Sequence, residues 1–132
     1  MILGLGSDII DIRRIERLLE KNGARFKNRV FTKSEQKKAA SRKRAGAKAV
    51  AATYAKRFAA KEACVKALGV REVDWLEMEI GNLKNGAPTL TLHGKAQKRL
   101  KSMTPRGKKP QLLVTLADDY PYALALVVIA IS

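Results

Sequence analysis

Two carboxylates, Asp8 and Glu62, stand where chemistry is possible. Asp8 follows the apolar run Ile2 to Leu5 and Gly6, where the end of a strand can aim a carboxylate outward. Glu62 sits in an alanine-rich segment with helical periodicity, at the edge of an apolar stripe, with Lys61 inside that stripe and Lys66 one turn further on. A lysine and a glutamate in such a place are costly to bury unpaired. Acids from two separate elements could together hold hard Mg²⁺, which takes a few protein oxygens and completes its shell with phosphate and water. Each acid also has a plainer account. Asp8 or Asp11 could cap the helix that follows, and Glu62 could form a surface pair with Lys66 at i,i+4, worth a few tenths of a kcal/mol. Spacing alone does not bring the two acids together.

Other chemistries find little support. His93 is the only histidine and falls at a strand end. Cys64 is the only cysteine, which excludes an internal disulfide and a cysteine-built metal cluster and fits a packing role in a reduced, cytoplasmic setting. There is no phosphate-binding P-loop, no Gly-rich dinucleotide fingerprint and no GxSxG nucleophile elbow.

The elements that must position these residues can be read from the pattern. Ile2 to Leu5 predicts a buried strand ended by Gly6, and Asp11 then caps a helix carrying Ile12, Ile15, Leu18 and Leu19, closed by Gly23. Thr32 with Glu35 matches a capping box and starts a second, short helix. Residues 41 to 48 predict a basic loop. The clearest helix runs from about Ala47 to Leu68, stopped by Gly69, with Val50, Tyr54, Phe58, Val65 and Leu68 on one stripe. Beyond it come a strand from Trp75 to Ile80, a turn at Asn85-Gly86, a strand from Thr89 to His93, a helix from Lys95 to Met103, and a strand pair, Leu112 to Leu116 and Tyr122 to Ile131. Helix signal concentrates in the first half and strand signal in the second, which predicts an α+β fold: an antiparallel sheet packed with one long and several shorter helices.

The chain has 132 residues, the size of one domain spanning 1–132. Its 27 Lys+Arg against 12 Asp+Glu give a formal net charge of +15, a field that attracts polyanions, phosphorylated small molecules or an acidic protein. Residues 13 to 48 alone carry about +11 of it. Nucleic acid is disfavoured as the partner, because Phe26, Phe31 and Tyr54 form no stacking pattern there. A membrane is disfavoured too, since the apolar run Tyr122 to Ile131 is half the length a spanning helix needs.

Four blocks carry a resemblance that covers almost the whole chain: Gly4 to Ile10 followed by Arg14-Ile15; Arg29 to Thr32 with Glu35; Arg57 to Ala63 (RFAAKEA) with Lys66 to Gly69; and the turn Asn85-Gly86-Ala87-Pro88. They resemble the holo-[acyl-carrier-protein] synthases, the small bacterial 4′-phosphopantetheinyl transferases. The resemblance implies transfer of phosphopantetheine from coenzyme A to a serine of apo-acyl carrier protein, with release of adenosine 3′,5′-bisphosphate, in support of fatty acid biosynthesis. It implies that Asp8 and Glu62 hold Mg²⁺ and that Lys66 joins them in catalysis. Arg57, Lys61, Lys66, Asn85, Gly86 and Pro88 would bind coenzyme A. A water or a carboxylate beside the ion would take the serine proton. Arg14, Arg25 and Arg29 would dock the acidic carrier protein, so that Arg14→Glu should raise KM for that protein and leave coenzyme A affinity nearly intact. A homotrimer is implied as well, and would account for an apolar residue at almost every position of Tyr122 to Ile131, where a strand facing water on one side should alternate.

Two positions depart from the family's pattern. Asp118 stands where a histidine is common, and Ala87 stands where the turn usually has lysine. Both bear on substrate affinity more than on reaction type. Apart from the resemblance, the charge also fits a non-catalytic basic module, marked by salt-sensitive polyanion binding without metal dependence. An inactive relative that keeps the trimer is a third reading.

Overall fold

Glycine at alternate positions of the first strand decides how the molecule is layered. The computed structural model describes residues 1–132. In chain order it contains β1 (Ile2–Asp11), α1 (Ile12–Val30), α2 (Lys33–Ala40), α3 (Ala47–Leu68), β2 (Met78–Asn82), β3 (Pro88–Leu92), α4 (Gly94–Met103), β4 (Pro110–Asp119) and β5 (Tyr122–Ile131). Single 3₁₀ turns lie at Lys43–Ala45 and Trp75–Glu77. Two antiparallel sheets form, one ordered β1-β5-β4 and the other the hairpin β2-β3. The fold is α+β, as the sequence predicts.

Helix α3 lies across the larger sheet. Residues on one face of β5, Ala123, Ala125, Val127 and Ile129, are buried beneath it. The expectation of one apolar stripe on α3 does not hold. Its buried residues include Tyr54, Phe58, Ala59, Ala60, Ala63, Cys64, Ala67 and Leu68, which together face nearly every direction around the axis. A helix enclosed this way needs small residues where it meets backbone and large ones where it meets other helices. The alanines serve the first need; Phe58, stacked on Trp75 with ring centres 5.3 Å apart, serves the second.

Three boundaries differ from the sequence reading for physical reasons. Gly6 does not end β1, which continues to Asp11 in register with β5. Gly23 does not close α1: the helix breaks at Asn22 (φ −147°, ψ 52°) and resumes to Val30. The segment Trp75 to Glu77 is a 3₁₀ turn capped by the Asp74 side chain, so β2 starts only at Met78. At the other end of α3, Gly69 adopts φ +66° and its N–H closes on the carbonyls of Val65 and Lys66, the left-handed stop that glycine favours.

The far face of the larger sheet carries apolar side chains that nothing in the chain covers. Leu5 and Ile9 are each 63% exposed, and Leu113, Tyr122, Leu124 and Leu126 lie open beside them. No helix is long and apolar enough to cross a membrane.

Candidate active site

Gly4, Gly6 and Asp8 fall on one face of β1, since successive residues of a strand alternate. A Cβ on Gly6 would overlap the Ala63 carbonyl oxygen and come within 2.8 Å of the Ala67 amide nitrogen; one on Gly4 would overlap the Ala67 carbonyl. The two glycines therefore let α3 rest directly on the strand backbone. Asp8 is the next residue on that face, and it meets α3 where Glu62 and Lys66 project. Lys66 Nζ donates to the Ser7 carbonyl at 2.9 Å and to Asp8 Oδ1 at 3.2 Å. The two acids are thus close enough to interact. Partial burial pushes the Glu62 carboxyl above the usual range and the Asp8 charge pushes it further, while Lys66 and Arg14 pull it back.

The expected i,i+4 pairing of Glu62 with Lys66 is replaced by a pairing across elements, Lys66 to Asp8. What remains is a half-buried carboxylate raised first by its burial and then by its neighbour's charge. A divalent cation would relieve that repulsion, and an oxygen-only donor set suits Mg²⁺. No further His, Cys, Asp or Glu joins the two acids into a larger cluster. The protein could thus supply two ligand residues and leave the rest of the shell to phosphate and water.

A groove of about 1010 Å³ runs past Glu62, walled by Val65, Trp75, Leu76 and Lys95, with Arg29 at its side. Arg14, Arg25 and Arg29 are all exposed on α1, Arg14 before the break at Asn22 and the other two beyond it. Arg14 lies over the Phe58 ring, 5.9 Å from its centre, and is near enough to Glu62 to act on its acidity.

A second groove, about 430 Å³, opens on another side of α3 and shares no lining residue with the first. Arg57, Gly86 and Pro88 line it, together with Lys38, Arg42 and Lys56. Arg57 is 3% exposed. It donates to Asn82 Oδ1 at 3.0 Å and to the Thr53 carbonyl at 3.4 Å, while its buried Nε has no acceptor. A guanidinium that spends only two of its five donors inside the protein, beside a cationic groove, suits an oxyanion. Asn82 was not singled out in the sequence, yet it both orients Arg57 and holds the hairpin loop through the Gly86 carbonyl at 3.0 Å. Asn85, by contrast, accepts from the Ala87 amide within the turn and does not line the groove. Asp118 reaches the groove from the end of β4 and pairs with Lys56 at 2.9 Å.

Lys61 requires a correction. As a coenzyme A contact it would need access, and its side chain has none. Its Nζ donates to Glu35 Oε1 at 2.7 Å, to the Val30 carbonyl at 2.7 Å and to the Trp75 carbonyl at 2.9 Å. All three ammonium donors are spent inside the protein. Glu35 also accepts from Thr32 N–H, completing the expected capping box, and its other oxygen accepts from Ile80 N–H at 2.8 Å. Burial presses the Lys61 ammonium toward the neutral form, and the Glu35 carboxylate opposes that. The lysine inside the apolar stripe is therefore a tie between α1, α2, α3 and β2. No spacing rule in the sequence links residues 35 and 61.

The chain matches known proteins over nearly its full length. The sequence profile of the 4′-phosphopantetheinyl transferase superfamily matches residues 4–125. The holo-[acyl-carrier-protein] synthase of Rhodopseudomonas palustris is 52% identical, the match covering 98% of this chain and 95% of that one. The crystal structure of the holo-[acyl-carrier-protein] synthase from Neisseria meningitidis is similar at 32% identity with a TM-score of 0.81, covering 98% of this chain and 99% of that one. The enzyme from Bacillus anthracis in complex with CoA (3′,5′-ADP) gives 31% identity and a TM-score of 0.76, covering 98% of this chain and 96% of that one. With the family profile and the relatives matched over nearly the full length, the chain belongs to the 4′-phosphopantetheinyl transferase superfamily.

Proposed function

We infer that the chain is a holo-[acyl-carrier-protein] synthase: it moves 4′-phosphopantetheine from coenzyme A to a serine hydroxyl of apo-acyl carrier protein and releases adenosine 3′,5′-bisphosphate. The observation that carries this reading is the meeting of Asp8 and Glu62, from β1 and α3, with Lys66 bridging to Asp8. These two acids would hold Mg²⁺, which when bound neutralises charge building on the diphosphate during transfer. Lys66 fixes the orientation of Asp8 and offers a second cation to the phosphate oxygens. Arg57 would serve the nucleotide end, its positive charge backing the groove that Gly86 and Pro88 line. Arg14, Arg25 and Arg29 present a cationic face for an acidic carrier protein, and Arg29 lies on the same groove as Glu62.

The substrate must reach both grooves, yet within one chain they lie on different sides of α3. Glu62 and Arg57 are separated by about 140° around the helix axis. The open apolar sheet face of Leu5, Ile9, Leu124 and Leu126 gives the reason for assembly. A homotrimer closing on that face would set the second groove of one protomer against the carboxylate pair of the next. Coenzyme A would then lie across the boundary.

Incubation with coenzyme A, Mg²⁺ and apo-acyl carrier protein tests the activity directly. The expected result is a carrier protein heavier by one phosphopantetheine. Absence of that gain with every carrier protein tried would overturn the reading.

A further inference from the structure

The second groove is cationic on nearly every side: Lys38 from α2, Arg42 after it, and Lys56 and Arg57 from α3. Asp118 is the exception. It extends from the end of β4 and places Oδ1 2.9 Å from Lys56 Nζ. Both side chains are partly open, 27% for Lys56 and 36% for Asp118, and a pair this exposed adds little to stability. Its effect falls on what the groove binds. A carboxylate in contact with an ammonium cancels most of that cation's attraction for a third charge, and it repels an incoming anion in its own right.

We propose that Asp118 is a specificity-determining residue, which by neutralising Lys56 lowers the groove's demand for the 3′-phosphate of its nucleotide. The inference rests on the reading of this groove as the nucleotide site. With the diphosphate assigned to Asp8 and Glu62, the 3′-phosphate is the anion left for Arg57, Arg42, Lys38 and Lys56. Lys38 and Arg42 are exposed and open to it, and Arg57 lines the groove almost wholly buried, held by Asn82 and the Thr53 carbonyl; Lys56 is engaged by Asp118. The pair therefore sets the discrimination between nucleotides with and without that phosphate, and it leaves recognition of the adenine and ribose unchanged.

Binding of adenosine 3′,5′-bisphosphate and of adenosine 5′-monophosphate, each measured calorimetrically, reads this without turnover. Asp118→Asn should tighten the bisphosphate about three- to ten-fold while moving the monophosphate less than about two-fold. Lys56→Met should weaken the bisphosphate by a similar factor, because Asp118 then faces the anion alone. Asp118→Asn combined with Lys56→Met should return to the affinity of the unaltered protein, a restoration that a merely structural role would not produce. An unchanged or smaller preference for the bisphosphate in Asp118→Asn would overturn the inference while leaving the nucleotide site in place. Failure of the unaltered protein to bind either nucleotide would overturn the nucleotide reading of the groove, and this inference with it.

Discussion

Helix α3 carries two lysine–carboxylate pairs barely more than one turn apart, and they do opposite work. Lys61 and Glu35 are wholly buried, and each spends its polar atoms on backbone and partner alike. Lys66 and Asp8 lie on the open side: the ammonium is 56% exposed, and Glu62 stands beside them with its carboxyl pushed up by burial and by the Asp8 charge. In the first pair every demand is met within the chain. In the second the two acids face solvent with Lys66 hydrogen-bonded only to Asp8 and the Ser7 carbonyl, so Glu62 keeps oxygens free for something that binds. Saturation marks the residue that holds the fold, and shortage marks the residue left for chemistry.

The sharpest way to break this contrast is to remove one member of each pair. Lys61→Met leaves Glu35 buried and uncompensated, so stability should fall by about 3–5 kcal/mol. Chemical denaturation checks this, and a loss below about 1 kcal/mol would show that water reaches Glu35 after all. Glu62→Gln should do the reverse. Its turnover should drop about 10²- to 10³-fold, an effect typical of losing one electrostatic stabiliser in an active site. Its melting temperature without metal should stay level or rise, since the repulsion with Asp8 is gone. Mg²⁺ should raise the melting temperature of the unaltered protein and not that of the variant, because a ligand stabilises only the state that binds it.

The two pairs also differ in how far the sequence foretells them. Asp8 and Glu62 are visible because each sits oddly in a regular pattern: an acid past an apolar strand, and an acid at the edge of an apolar stripe. Lys61 is odd for the same reason, but its partner is hidden. Glu35 reads locally as the third residue of a capping box, and that reading is correct; nothing local tells that its two oxygens also serve Lys61 and Ile80. Long-range pairing is a property of the packed chain. Asn82 was missed on the same grounds, since its importance comes from Arg57 on another element. The end of α3 at Leu68 is legible because glycine stops it chemically at Gly69. Those of β1 were not. Glycine in a strand ordinarily weakens it, whereas Gly6 extends the strand's reach by letting a helix lie on it.

That close approach is the common foundation of both pairs, and Gly6→Ala tests it. The added methyl would push Ala63 and Ala67 backbone away from β1, an overpacking cost of about 1–3 kcal/mol. Because α3 carries both lysines, the displacement should also lower turnover, joining two effects that the single-pair variants separate. Docking can be distinguished from the site in turn. Arg25 lies beyond the break in α1, and Arg25→Glu should raise KM for carrier protein roughly ten-fold with kcat and coenzyme A affinity unchanged. Arg14→Glu should not be so clean. Its guanidinium lies over Phe58 and near Glu62, so exchanging it for a carboxylate should tighten Mg²⁺ binding while it weakens docking. Equal effects of the two variants on KM and on Mg²⁺ affinity would remove Arg14 from the neighbourhood of the site.

The mildest test concerns a third carboxylate–cation pair, fully local and fully exposed. Asp11 caps α1 by accepting from the Arg13 N–H at 2.9 Å, and it holds the Arg13 guanidinium through Nη2 at 2.7 Å. The hydrogen bonds from the Arg13 side chain draw its carboxyl down from 3.8 to about 2. A depressed carboxylate favours the folded state above its unfolded pKa, and that contribution is lost as the pH falls through the folded value. The melting temperature of the unaltered protein should therefore carry a small acid-side decline between pH 3.8 and about 2 that Asp11→Asn lacks. Asparagine keeps the cap, so the variant should differ little at neutral pH. If both proteins declined in parallel, the acid limb would not belong to Asp11, and its pairing with Arg13 would add nothing to stability, as for many exposed ion pairs.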